Sequence, residues 1–135
     1  MKNHKCRTYF RIIGDIEVNE LLSTLNVKAN KIVNKGEINP RSKKVWEYND
    51  VKIGFNDKYN VDINEMIRET LKNLIPQVET LAKLKKEYSL KYYLVLVPEI
   101  YSDSEEPNQY LSLDRDIIEF LYLTETDIDL DYYVY

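Results

Sequence analysis

Three carboxylates stand at alternate positions near the end of the chain, in Asp127-Ile128-Asp129-Leu130-Asp131-Tyr132. Alternate side chains of a β-strand point to the same face. Asp127, Asp129 and Asp131 are therefore expected on one face, roughly 6–7 Å apart in succession. Ile128, Leu130 and Tyr132 would share the other face, which predicts a sheet with one buried side. A row of carboxylates suits two kinds of chemistry. A hard cation such as Mg²⁺ or Ca²⁺ needs about six oxygens or more, so it would have to recruit ligands from neighbouring strands. A basic protein surface needs only the charge, and a solvated or partner-facing strand is the simpler expectation.

A second constellation is Lys35, Gly36, Arg41, Trp46 and Tyr48. Two cations on a loop beside exposed aromatic rings could hold an anionic ligand or an acidic protein surface. The competing reading puts Trp46 in the core. His4 and Cys6 are the sole histidine and cysteine. A structural zinc site takes about four nitrogen or sulfur ligands, which this inventory does not supply. A nucleophilic Cys–His pair needs an ordered pocket and a third group to orient the base. So close to the N-terminus, an uncoordinated tail is expected. There is no Walker phosphate loop and no G-x-G-x-x-G; the three glycines, Gly14, Gly36 and Gly54, are read as turns or close backbone approaches. Asp114 and Asp116 are read as helix N-terminal charges that complement the helix dipole. No catalytic residue, cofactor or metal ligand is assigned.

These groups need elements to position them. Arg7 to Ile13 reads as a strand ended by Gly14-Asp15. Val18, Leu21, Leu22 and Leu25 carry the spacing of a short amphipathic helix, with Asn26 as its stop. Lys31 to Val33 is a candidate strand. Lys44 to Tyr48 and Val51 to Phe55 read as two strands about an Asn49-Asp50 hairpin turn, with Trp46 and Tyr48 on one face. From Asp62 to Tyr88 an apolar stripe runs through Ile63, Met66, Ile67, Leu71, Leu74, Ile75, Val78, Leu81, Leu84 and Tyr88. Asp62 and Glu65 resemble a capping box at its start. Pro76 interrupts the pattern, and proline inside a helix costs about 3 kcal/mol. The unbroken phase favours one kinked element over two helices. Lys91 to Val97 reads as a central strand, Tyr101 to Asn108 as an acidic loop and Tyr110 to Leu113 as a further strand. A helix capped by Asp114 and the alternating strand close the chain.

The order β-α-β-β-α-β-β-α-β predicts an α+β fold with a ferredoxin-like, split βαβ core. The sheet would be mainly antiparallel, with helices on one face. At 135 residues, one domain (1–135) is expected. The lone cysteine fits a reducing compartment. No stretch resembles a signal peptide or a membrane helix. A cytoplasmic location follows as the expectation. Residues 1–58 carry 12 Lys/Arg and 7 Asp/Glu, whereas residues 59–135 carry 7 and 16. Such a dipolar chain could steer a basic partner towards its acidic half. The basic residues are scattered rather than striped, which argues against nucleic-acid binding. Twelve tyrosines fit either an interface, where the type is enriched, or, with the many Asn, Lys and Ile, an AT-rich genome.

Four stretches together resemble a bacterial family known as domain of unknown function 4279. They are Phe10-Arg11-Ile12-Ile13-Gly14-Asp15 with the Leu21-Leu22 helix, Lys35-Gly36-Glu37 followed by Trp46, the Ile75-Pro76 helix, and Leu111-Ser112-Leu113 through Asp129-Leu130-Asp131-Tyr132-Tyr133-Val134. Two features depart from the family pattern. Leu123-Thr124-Glu125-Thr126 stands where a glycine-containing turn is expected, and Gly54 lies in a strand-like run. The resemblance implies a cytoplasmic bacterial α+β domain and carries no activity, cofactor or catalytic residue with it.

The functional expectation is a non-catalytic, immunity- or antitoxin-like protein whose acidic, tyrosine-rich surface binds a partner protein. The alternative is a small-molecule sensor or enzyme with a ligand site near the Lys35–Tyr48 loop. A third reading is a structural or assembly module, which a stable homodimer formed through an edge strand would favour; a homo-oligomer is therefore a further candidate partner state. No membrane partner is expected.

Overall fold

β1 (Lys5–Gly14) forms the centre of the sheet. Its sequence, KCRTYFRIIG, alternates strictly: even-numbered residues are buried and odd-numbered residues are half-buried. The computed structural model describes residues 3–107 and 111–135. After β1 come α1 (Val18–Leu25), β2 (Lys31–Val33), β3 (Asn49–Tyr59) and α2 (Ile63–Leu71). A 3₁₀ turn at Ile75–Gln77 leads into α3 (Val78–Tyr88), β4 (Lys91–Ile100), α4 (Arg115–Leu123), β5 (Asp127–Leu130) and β6 (Tyr133–Val134).

The six-stranded sheet has the order β2-β3-β1-β4-β5, with β6 also paired to β4. β1 is antiparallel to β3 and β4, and β2 is antiparallel to β3. β5 and β6 run parallel to β4. The helices pack on the even-numbered side of β1. Phe10 meets Tyr92 at 5.6 Å and Phe120 of α4 at 6.2 Å between ring centroids. The Tyr92 hydroxyl donates to the Leu81 carbonyl of α3 at 2.7 Å, and Thr8 meets Thr70 of α2 at 2.7 Å. Burying each large apolar side chain in such a core contributes roughly 1.5–3 kcal/mol.

Local chemistry sets the element ends. Glu17 caps α1 by accepting from the Asn19 and Glu20 amides, and Asn26 stops it in the left-handed conformation at φ 50°. Asp62 caps α2 by accepting from the Asn64 amide. The apolar stripe from Ile63 to Tyr88 faces the core as its phase requires: Ile63, Met66, Ile67, Leu71, Leu74, Leu81 and Leu84 are buried, and Ile75, Val78 and Tyr88 pack against them. The expected single kinked element is instead two helices. Pro76 sits in the 3₁₀ turn between them, near its start, where its missing N–H leaves no interior helical bond unmade.

Three other expectations are corrected. Lys44 to Tyr48 forms no strand; within that loop the pairing is one isolated bridge, Ile38 to Val45. Asn49-Asp50 makes no hairpin turn but opens β3, because both side chains are engaged elsewhere. The Asn49 amide donates to the Ile16 carbonyl at 2.7 Å and accepts from the Lys35 N–H at 2.7 Å. Asp50 is buried against Arg11, whose Nε and Nη2 donate at 3.0 and 2.5 Å. Residues 111–113 form no strand, and Tyr110 and Asn108 of the expected strand and loop lie outside the described residues. The observed order is thus β-α-β-β-α-α-β-α-β-β.

Gly54, unexpected in a strand, marks a bulge. The β1–β3 register shifts between Thr8 and Phe10, opposite Gly54 and Phe55. Gly54 has φ +67°, and a Cβ there would run into the Thr70 backbone of α2. Its carbonyl accepts from Thr70 Oγ1 at 2.7 Å and Asn56 Nδ2 at 3.2 Å. Glycine therefore lets the sheet touch α2 backbone to backbone.

Candidate functional site

The closing segment is the outermost strand of one sheet edge. β5 pairs with β4 from Tyr93–Asp127 to Leu96–Leu130, and among the described residues no strand occupies its other side. The chain then continues along β4. The Asp131 N–H donates to Leu96, and the Tyr135 N–H donates to Ile100. The register puts Asp127 and Asp129 on the helix-free face, beside Tyr93 and Val95, and puts Ile128 and Leu130 beside buried Leu94 and Leu96.

The alternation is as expected, but the burial is not. Ile128 is 40 % exposed, Leu130 47 % and Tyr132 60 %. The expected buried side therefore stops at β4, and β5 lies beyond its cover. The three aspartates are exposed; among the described residues Asp127 and Asp129 make no ion pair, and Asp131 accepts from the Tyr133 hydroxyl at 3.2 Å. That bond raises the Tyr133 phenol above its ordinary value. Below Leu130 and Tyr132 lies an apolar cleft of about 150 Å³, completed by Ile63, Leu96, Pro98, Ile100 and Leu111. Tyr133 and Tyr135 stack at 6.5 Å, and Tyr135 stacks on Tyr101 at 5.0 Å.

The second expected site is only partly assembled. The Gly36 N–H donates to the Trp46 carbonyl at 2.9 Å, and the Trp46 N–H donates to Glu37 at 2.8 Å, which brings Lys35, Gly36 and Trp46 together. Trp46 is half-buried rather than core. Lys35 Nζ is held by Asp15 at 3.0 Å, so its charge is already partnered. Arg41 and Tyr48 are exposed; the Arg41 N–H donates to Asn39 in a local turn. β2, beside this loop, and β5 are four strand spacings apart in the sheet order, roughly 19 Å at ~4.8 Å each. The two expected surfaces are separate.

His4 and Cys6 are not an uncoordinated tail. Both are buried, and His4 Nδ1 accepts from the Tyr101 N–H at 3.1 Å. Burial pushes the Cys6 thiol up to about 11. Among the described residues, no group of three or more His, Cys, Asp or Glu is arranged to hold a metal ion. Asp114 and Asp116 do more than complement a dipole. Arg68 of α2 forks onto both, at 2.6 Å to Asp114 and 2.8 and 2.9 Å to Asp116. These bonds hold both carboxyls below their ordinary value.

One surface escaped the sequence reading. Tyr9 of β1 and Phe55 of β3 stack at 6.0 Å on the helix-free face, with Lys52 Nζ 4.7 Å above the Tyr9 ring. The odd positions of β1 (Lys5, Arg7, Tyr9, Arg11) were the available signal.

Among the described residues the architecture is a mixed α+β fold with four α-helices and an open six-stranded sheet. The chain belongs to the family described as Domain of unknown function (DUF4279), whose model matches residues 4–135. No curated protein and no solved structure matches it significantly. Among the described residues, no helix is long and apolar enough to cross a membrane.

Proposed function

We propose that this is a non-catalytic binding module that engages a basic protein through its acidic, tyrosine-rich edge, in the manner of an immunity or antitoxin protein. The carrying observation is the composition of the free β5 edge. Exposed Asp127 and Asp129, which make no ion pair among the described residues, line one side, and exposed Ile128, Leu130 and Tyr132 line the other. An open strand edge offers main-chain hydrogen bonds to an added strand. Exposed carboxylates speed encounter with a cationic surface. The adjoining cleft of about 150 Å³ suits one or two apolar side chains. It is well below the roughly 300–1,000 Å³ usual for small-molecule sites. The ligand-site alternative near Lys35 draws less support, because Asp15 already neutralises that ammonium. The split βαβ reading draws support from the strand order: β3 lies between β1 and β2, and β1 lies between β3 and β4.

The test is affinity capture of the tagged protein from its native host, repeated with the Asp127/Asp129/Asp131→Asn variant. The expected result is one stoichiometric basic protein that is lost from the variant. If the variant retains every partner, the acidic-edge reading fails.

A further inference from the structure

The helix-free face of the sheet is organised independently of the β5 edge. The cross-strand register aligns Asp127, Tyr93, Arg11, Lys52 and Lys31 in one row across five strands. The next row along β1 runs Asp129, Val95, Tyr9 and then Phe55 at the bulge. Charge along the first row passes from acid at β5 to base at β3 and β2, where Lys52 and Lys31 make no salt bridge among the described residues. In the sequence these cations are dispersed between residues 5 and 52; only the pairing of β1, β2 and β3 collects them.

Not all of them are available. Arg11 is neutralised by Asp50, and Lys5 by Asp57 at 3.4 Å. Arg7, Lys31 and Lys52 make no salt bridge among the described residues. Lys52 is held below its ordinary value first by burial and then by Lys31, against an opposing pull from Asp50, with Arg11 and Arg7 adding smaller effects in the lowering direction. Cations that repel one another on a fixed sheet leave a site that an anion relieves.

The rings decide which anion. Tyr9 and Phe55 lie with their planes within 26° of one another, Phe55 is 42 % exposed, and Tyr93 is half-buried on the neighbouring strand. A carboxylate-bearing peptide would use the cations and leave exposed Phe55 and half-buried Tyr93 uncovered. A duplex keeps its bases stacked inside. Unstacked bases joined by phosphates use both features, and a sheet with aromatic residues on its central strands is a known platform for them. We propose that this face binds a single-stranded segment of nucleic acid, with bases on Phe55 and Tyr93 and phosphates met by Arg7, Lys31 and Lys52. Three adjacent strands span roughly 10 Å, room for two or three bases. Asp127 and Asp129 repel phosphate at the β5 side, so the backbone runs over β1, β3 and β2.

The experiment is fluorescence anisotropy with labelled RNA and DNA single strands of mixed sequence and about 12 nucleotides, a length within the usual range of such sites. Saturable binding is expected near 50 mM salt, falling as salt rises; log K should change against log salt with a slope near −2 for three contacting cations. Lys31→Gln with Lys52→Gln should reduce that slope by about 1.4. Phe55→Leu, which keeps apolar cover but removes the ring, should weaken binding by about tenfold or more. Circular dichroism establishes that each variant is folded. A preference for RNA, or equal affinity for both strands, upholds the proposal. Absence of saturable binding at low salt overturns it, as does tighter binding of a duplex. Equal binding of a polyglutamate of matched charge, or unchanged affinity of folded Phe55→Leu, also overturns it.

Discussion

Gly54→Ala isolates the place where β3 touches α2. At φ +67° an L-residue pays roughly 1–2 kcal/mol relative to its ordinary conformations. The loss of chain entropy in the unfolded state returns about 0.4–1 kcal/mol of this. The new methyl group meets the Thr70 carbonyl, carbon and Cα of α2, none of which is the far end of a flexible side chain. Moving them costs roughly 1–3 kcal/mol, as overpacked cores do. It also stretches the Thr70 Oγ1 bond to the Gly54 carbonyl, worth about 1 kcal/mol. The net expectation is a loss of about 2–4 kcal/mol. Gly36→Ala is the control: its φ is +93°, but nothing lies within 4 Å of the added atom. It should lose only about 1 kcal/mol. Urea unfolding followed by circular dichroism measures both, and Gly54→Ala should also melt roughly 10 °C lower. A Gly54→Ala variant within about 0.5 kcal/mol of the parent, or no worse than Gly36→Ala, would refute the backbone-contact argument.

Two further outcomes follow from the titrating groups. Arg68→Gln removes the fork that depresses Asp114 and Asp116, so carboxyl NMR titrations should show both midpoints rising towards 3.8. Because the folded values are lowered, the stability they supply is present above 3.8 and is lost as pH falls through the folded values; the variant should lose that acid-side dependence. The buried Cys6 thiol should resist disulfide reagents at pH 8 and react only as fast as the fold opens. Its folded value is raised from 9.0 to about 11, so its contribution to stability is intact below 9.0 and declines as pH rises through about 11.

Local periodicity was legible wherever one face meets the core. The stripe from Ile63 to Leu84 predicted its buried residues despite Pro76, because both helices face the same sheet and so keep one phase. Asn26 was legible as a stop because few other residues tolerate its backbone conformation. Asn49-Asp50 misled because turn-forming side chains can equally satisfy distant groups, here Ile16 and Arg11. The β5 alternation gave the correct faces for Asp127, Asp129 and Ile128, but alternation cannot report whether a strand is central or peripheral. His4 and Cys6 looked like a tail because nothing local shows that residues 98–101 fold over them. The cations of the helix-free face were hidden for the same reason: Lys31 and Arg11 meet only through β3.

The central place of β1 has a cost in the order of synthesis. β1 is made first, yet its two neighbours are β3, ending at Tyr59, and β4, ending at Ile100. At ~5–20 residues per second, several seconds separate the emergence of β1 from that of its last partner. Until β3 emerges the nascent chain exposes both edges of β1, and until β4 emerges it still exposes one, together with the apolar side chains of Phe10 and Ile12. Three of the ten residues of this strand, Lys5, Arg7 and Arg11, are cations on one face, the kind of gatekeeping that keeps such an early segment from pairing with another chain.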